Sequence, residues 1–381
     1  MTERREMDLV PVLHGWGAQQ VVAMMARAQD GWPFLSTVIE DAFKRDRTPP
    51  REKGPLARAL MDWVRFRRAA AFAINGDDSP EHEMVAALIL AGSVPVETAL
   101  EGLHPDLRSG VLEFDVRVDR ILDPVERFGT RHSLPDWMAR LLVNELGEER
   151  AEAVARALNR HPPQTLRANL VKGTREDTQV ALRNEGYETT PTDHASTGLH
   201  LQSTHLNIFH SNAFADGRVE MQDEASQLVA ELVAPPPGSL FVDWCAGAGG
   251  KTLAVGALMR GKGHVMALDV HDKRLEELRK RARRAGLSNV EARLLTDAPP
   301  PIRDPGAARV LVDAPCTGLG ALRRNPEARW RLVEDDLARL SDQQLAIAER
   351  ALQHVAPGGR LVFATCSVAR AEGEDVIRRL R

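Results

Sequence analysis

Between residues 239 and 368, short apolar runs alternate with stretches of helical period. SLFVD ends at Asp243, HVMALD at Asp269 and ARVLVD at Asp313; NVEARLL and GRLVFATCS complete the set. Helical spacing fills 251–259, 272–285 and about 334–355. Runs that are apolar on both faces suit strands covered on both sides, and connections long enough to hold a helix let neighbouring strands run parallel. The pattern therefore predicts an α/β, Rossmann-like doubly wound sheet for this part of the chain.

The rest reads differently. Apolar positions recur at helical spacing in 21–28, 34–43, 56–72 and 84–90, so residues 1–125 are expected to form an all-α domain. Residues 119–133 lose that period around Pro124 and Gly129 and read as a linker. Two helices over 134–160 then lead into a strand at TLRANLV from Thr165, a helix at TREDTQVALRNEG, a strand at YETTPT and another near 218–221. The elements up to YETTPT form a small α+β subdomain over 134–217, and the strand near 218–221 opens the sheet domain over 218–381. With 43% apolar and 27% charged residues the chain has the composition of a globular protein rather than a disordered one. The net charge of -4 gives no overall pull toward nucleic acid or membrane, but residues 44–68 hold nine basic against three acidic side chains. The N-terminus lacks an apolar signal core. Three cysteines without disulfide-like spacing suit a reducing compartment, so a cytoplasmic location is expected.

In doubly wound sheets ligands gather outside the carboxyl ends of the strands, which directs attention to Asp243, Asp269, Asp297, Asp313 and the pair Thr365 and Cys366. The first strand runs into Trp244-Cys245-Ala246-Gly247-Ala248-Gly249-Gly250-Lys251-Thr252, where glycines let a ligand approach the backbone. A Walker motif would need glycine five positions before Gly250, and Cys245 stands there. The dinucleotide pattern fails as well, so a nucleoside cofactor without a pyrophosphate is expected. Asp269 would accept from its ribose hydroxyls and Asp297 from an exocyclic amine. Cys316, in Asp313-Ala314-Pro315-Cys316-Thr317-Gly318, and Cys366 would meet at one ligand edge as reactive thiols, while Cys245 reads as a packing residue. The twelve histidines show no ligand spacing, so no metal is expected.

VEMQDEASQLVAELV, DWCAGAGGKT, ALDVHDKRL, VDAPCTGLGALRRNPEARW, LSDQQLAIAERAL and PGGRLVFATCSV together resemble the Sun/Fmu-type RNA cytosine-5 methyltransferases, which are S-adenosylmethionine-dependent enzymes with a class I methyltransferase fold. The N-terminal PPREKGPLARALMDWVRFRRAAAFAI is similar to a NusB-like RNA-binding domain, and TLRANLVKGT looks like the RNA-contacting segment of this family. The resemblance implies a methyltransferase acting on 16S small-subunit ribosomal RNA, with no membrane association, as a monomer. It implies that Cys366 is the nucleophile that attacks C6 of cytosine, that Cys316 assists release, and that Asp313 holds the base. The cofactor would lie on Cys245, Ala246, Gly247, Ala248, Gly249, Gly250 and Lys251, with Asp269, Arg274, Asp297 and Asp313 around it. Arg167, Asn169, Arg323, Arg324, Arg329 and Arg331 would meet RNA, as would the basic patch at 44–68.

Two departures accompany the resemblance. Ala248 stands where the family usually carries proline, which implies a more flexible loop and a weaker grip on the cofactor. The chain ends fifteen residues after Cys366, where relatives continue through a further hairpin, so the C-terminus reads as short. These departures leave open a second reading, a non-catalytic RNA-binding or ribosome-assembly factor that retains the fold. A methyltransferase acting on exocyclic amines is disfavoured, because Asp-Ala-Pro-Cys replaces the Asn/Asp-Pro-Pro-aromatic motif of such enzymes.

Overall fold

A computed structural model describes residues 8–203, 206–296, 302 and 305–381. The helical spacing of the first third is realised in helices Gly15–Gln29, Leu35–Arg45, Pro50–Ala73 and Pro80–Leu90, followed by shorter helices to Asp119. Their apolar stripes meet in one core containing Val21, Met24, Leu56, Leu60, Trp63 and Met84. The expected linker at 119–133 is instead largely helical, over Pro124–His132. Pro124 occupies the first turn, where its missing N–H costs nothing, and the Asp123 carboxylate accepts from the Glu126 N–H at 2.7 Å. Gly129 permits close packing on the long helix: a Cβ there would sit 2.6 Å from Arg68 Nη1.

Next come β1 (Thr165–Ala168), β2 (Thr189–Pro191), β3 (Gly198–Leu201) and β4 (Val219–Met221), an antiparallel sheet in the order β2-β3-β1-β4. Helix Arg175–Asn184 begins at a reciprocal Thr174–Asp177 capping box. Strand β3 has no sequence-based counterpart above, because GLHL is too short to show a period.

The last unit has β5 (Leu240–Asp243), β6 (His264–Asp269), β7 (Val290–Leu294), β8 (Ala307–Asp313) and β9 (Val355–Ala364), all parallel, in the order β7-β6-β5-β8-β9. Alternate residues go to opposite faces. Phe241, Val265 and Leu311 join Ala254, Val255 and Val233 on one side, while Val242, Met266, Val310 and Val312 join Ala351 on the other. The expected doubly wound sheet is therefore present, with helices covering both faces. The strand order reverses at β5, which places the ends of β5 and β8 at the topological switch point.

The units are joined by the segment following Cys316. Trp330 packs against the N-terminal core and its Nε1 donates to the Val64 carbonyl at 2.8 Å. Leu319, Leu322 and Ala328 pack with Leu134 and with Leu142 and Leu158 of helices Asp136–Leu146 and Glu148–Asn159. No described helix is long and apolar enough to cross a membrane.

Candidate active site

The loop after β5 is shaped by two glycines in the left-handed region, Gly247 at φ 55° and Gly249 at φ 87°. At Gly249 the requirement is also steric, since a Cβ would lie 2.6 Å from Leu278 Cγ. At Gly247 a Cβ would meet nothing within 4 Å, so the loop is open on that side. Asp269, at the end of β6 and only 6% exposed, accepts from the Gly247 N–H and the His271 N–H, both at 2.8 Å. The Ala248 carbonyl accepts from Arg281 Nη1 at 2.7 Å, and the Gly250 carbonyl from Arg167 Nη1 at 2.8 Å. Two guanidinium groups thus hold the loop that lacks the usual proline.

Under the loop, Asp243 is buried and its Oδ2 accepts from the Thr252 hydroxyl at 2.7 Å. Burial pushes the Asp243 carboxyl up to about 7, Thr252 opposing and the Asp313 charge adding to the rise. Burial also raises the Cys245 thiol, reinforced by Asp243, Asp269 and Asp313, which leaves Cys245 an unreactive packing thiol.

At the ends of β8 and β9 the two remaining thiols meet: Cys316 Sγ lies 3.3 Å from Cys366 Sγ. Cys366 is exposed and Cys316 half-buried. The Cys366 thiol is drawn down to about 7, first by the hydrogen bond from Cys316, against burial and the Asp313 charge and with help from Lys251. The same hydrogen bond, together with burial, drives the Cys316 thiol upward. The two thiols titrate as a pair, and these directions favour the proton on Cys316 and the negative charge on Cys366. Lys251 Nζ pairs with Asp313 Oδ2 at 2.5 Å, so the cation at the start of helix Gly250–Leu258 steadies the carboxylate ending β8.

The other expected site residues divide. Arg274 is exposed on helix Asp272–Ala285 and forms no ion pair among the described residues. Asp297 lies outside the described residues. The expected RNA contacts are largely turned inward. Arg167 is buried, donating to Gln222 Oε1 as well as to the Gly250 carbonyl. Asn169 is buried, donating to the carbonyls of Gly217 and Ala285, each at 2.8 Å. Arg329 is wholly buried, and its Nη1 donates to the Arg65 and Ser133 carbonyls and to Asn159 Oδ1. Arg323 donates to the His161 carbonyl, Arg324 is bound to Asp223, and Arg331 lies over the Phe34 ring. In the basic patch at 44–68, Arg45 pairs with Asp46, Arg51 with Glu52, Arg58 and Arg65 with Asp62, Arg67 with Glu83 and Arg68 with Asp136. The signal missed in sequence is that backbone carbonyls far along the chain bind Arg65, Arg167, Arg323 and Arg329, while most of the patch at 44–68 is neutralised by acids close in sequence. Glu372, wholly buried beside the Cys316 loop, is a further residue that the sequence reading did not single out.

A parallel sheet with a glycine loop after its first strand, an acid ending its second and two thiols following the carboxyl ends of β8 and β9 defines a Rossmann-like methyltransferase. The open loop at Gly247, the buried Asp269 and the lack of a pyrophosphate motif fit S-adenosylmethionine, which these residues would hold. Residues 230–380 match the family described as 16S rRNA methyltransferase RsmB/F, and 134–207 match its ferredoxin-like domain. The chain belongs to this RsmB/F family, which is the Sun/Fmu family of the sequence resemblance. A relative in Bacillus subtilis, "Probable ribosomal RNA small subunit methyltransferase B", is 34% identical over 79% of this chain and 67% of its own length. The chain spans less of two further relatives of that group, 57% of the Synechocystis protein and 55% of the Vibrio cholerae protein. Among solved structures, a methyltransferase homolog from Pyrococcus horikoshii is 28% identical with a TM-score of 0.59, covering 68% of this chain and 82% of that one. Among the described residues no group of three His, Cys, Asp or Glu side chains is placed to hold a metal ion.

Proposed function

We propose that the chain transfers a methyl group from S-adenosylmethionine to C5 of a cytosine in small-subunit ribosomal RNA through a covalent enzyme-RNA intermediate. The observation that carries this reading is the thiol pair itself: Cys316 Sγ and Cys366 Sγ stand 3.3 Å apart at the carboxyl ends of β8 and β9, where their contact lowers the Cys366 thiol. Carbon 5 of cytosine is a weak nucleophile, and addition of the Cys366 thiolate to C6 makes it electron-rich. The Asp313 carboxyl group, steadied by Lys251, holds the base at its N3 and amino edge while charge develops there. S-adenosylmethionine, which the loop after β5 and Asp269 would hold, would supply an electrophilic methyl group to C5 and leave as the thioether. The Cys316 sulfur, once it has given up its own proton, then takes the C5 proton, the electron pair of the broken C5–H bond re-forms the C5–C6 double bond, and the Cys366 sulfur leaves with the pair of the broken C6–S bond.

Because the thiols lie beside each other at the carboxyl ends of β8 and β9, the target base must leave its stack to reach both, which favours a loop or single-stranded RNA site. The names of the relatives support a small-subunit ribosomal RNA substrate. The test is incubation with labelled S-adenosylmethionine and unmodified ribosomal RNA, followed by nucleoside analysis. Label in 5-methylcytosine is expected. Label confined to another nucleoside, or no transfer by protein that binds the cofactor, would overturn the reading.

A further inference from the structure

Glu372 closes the short 3-10 helix Arg370–Glu372 that follows Cys366, and its side chain is wholly buried. A buried carboxylate is costly unless its lone pairs are filled. No ion pair of Glu372 occurs among the described residues, and three neutral donors do the filling. Glu372 Oε1 accepts from the Thr317 N–H at 2.9 Å and from Gln344 Nε2 at 2.9 Å, while Oε2 accepts from the Thr317 hydroxyl. Gln344, itself buried, gives its other amide hydrogen to the Pro315 carbonyl at 2.9 Å. The peptides on both sides of Cys316 are therefore held from this one carboxylate and its glutamine neighbour.

The network also reaches the other thiol. Thr317 Oγ1 lies 3.2 Å from Ser367 Oγ, and Ser367 adjoins Cys366. Since the Thr317 hydrogen is directed to the carboxylate, its oxygen accepts from Ser367; Ser367 Oγ in turn accepts from the Ala369 N–H at 3.1 Å. The chain of donors runs one way, from Ala369 through Ser367 and Thr317 to Glu372. The Gly320 N–H donates to the Cys366 carbonyl at 2.9 Å, a second tie between the loops that does not involve Glu372.

We propose that Glu372 is a positioning residue that sets the separation of Cys316 and Cys366, acting through Thr317 and Ser367. It touches neither thiol in this arrangement. Its importance for methyl transfer rests on the two-thiol reading above, whereas its hold on the thiol spacing does not.

The experiment separates the two. Phenylarsine oxide condenses with two adjacent thiols, losing one water and forming two As–S bonds, and so reports thiol spacing without RNA or cofactor. Full-length protein and its Cys316→Ser variant give the two-thiol and one-thiol limits. Glu372→Ala and Thr317→Val are expected to weaken capture by about tenfold or more, the scale of losing a hydrogen bond to a charged group. Thr317→Ser, which restores the hydroxyl, is expected to return capture to within about threefold of the wild type. Under the two-thiol reading, kcat for methyl transfer falls in step while KM for S-adenosylmethionine stays within about twofold. Wild-type capture by folded Glu372→Ala overturns the proposal. Should that variant not fold, wild-type capture by Thr317→Val, or Thr317→Ser failing to rescue, does the same. If capture behaves as expected but the wild-type protein methylates no RNA, the functional reading fails and the positioning role stands.

Discussion

Cys316 Sγ and Cys366 Sγ lie 3.3 Å apart although 50 residues separate them in the chain. Strands β8 and β9 run parallel and in register, with Asp313 opposite Ala364, so the loops leaving them emerge side by side. Contact between the thiols makes their protons interdependent: the one that donates is held protonated, and the other ionises near neutrality.

Alkylation of Cys366 by iodoacetamide should therefore rise with pH through a midpoint at about 7, since only the thiolate reacts and its pKa is lowered. Methyl transfer should fall below that pH as the thiolate is protonated. Cys316→Ala removes the donor and should move the midpoint upward by about one unit. Peptide mass spectrometry reads the rate, and an unmoved midpoint would show that the hydrogen bond is not the cause.

Roles in bond making and breaking separate by substitution. Cys316→Ala should stall after methylation and accumulate a covalent protein-RNA adduct visible as a band of reduced gel mobility. Cys366→Ala should form none. The reverse pattern would exchange the roles assigned to the two thiols.

Asp269 shapes the loop through the Gly247 N–H, and the proposed function puts it beside the cofactor. Asp269→Ala should weaken binding of S-adenosylhomocysteine by about tenfold or more, as charge-assisted hydrogen bonds are lost. Calorimetry showing affinity within about twofold of the wild type would remove Asp269 from the cofactor site.

Arg329 is wholly buried at the joint between the sheet domain and the helical domain, donating to Arg65, Ser133 and Asn159. Arg329→Ala leaves those acceptors without partners and should cost about 3 kcal/mol, with earlier proteolytic cleavage between the units. Arg329→Lys should not restore stability, because an ammonium cannot span the same acceptors. Thermal denaturation with limited proteolysis measures both.

Asp243 titrates at about 7 in the folded protein, above the value for an exposed aspartate. A raised folded pKa means that the folded state binds the proton more tightly, so this contribution to stability is full below about pH 4 and is lost as pH rises through about 7. Asp243→Asn should flatten that decline in urea melts taken between these limits. An unchanged slope would place the titration elsewhere.

Much of the architecture was legible in the sequence because the sheet writes itself locally. SLFVD, HVMALD and ARVLVD have both faces buried and end in acids at the ligand edge, and the glycines of the loop announce a close approach. Helix Pro124–His132 was misread because Pro124 is a breaker within a helix and a starter at its first turn, and only the Asp123 cap distinguishes the two. Strand β3 was invisible because a four-residue segment acquires its identity from β1 and β2 on either side.

The arginines mark the limit. By itself the sequence determined the fold class, the strand-end acids and which thiols follow the carboxyl ends of neighbouring strands, since these follow from periodicity and from residues adjacent in the chain. Tertiary structure decided that Arg167 and Arg329 face inward, that Lys251 steadies Asp313, and that Glu372 ties together the two thiol loops. The reason is physical: a long cationic or acidic side chain takes its meaning from the partner that fills its hydrogen bonds. That partner for Arg329 is the Arg65 carbonyl, 264 residues away, brought into reach only when the domains dock.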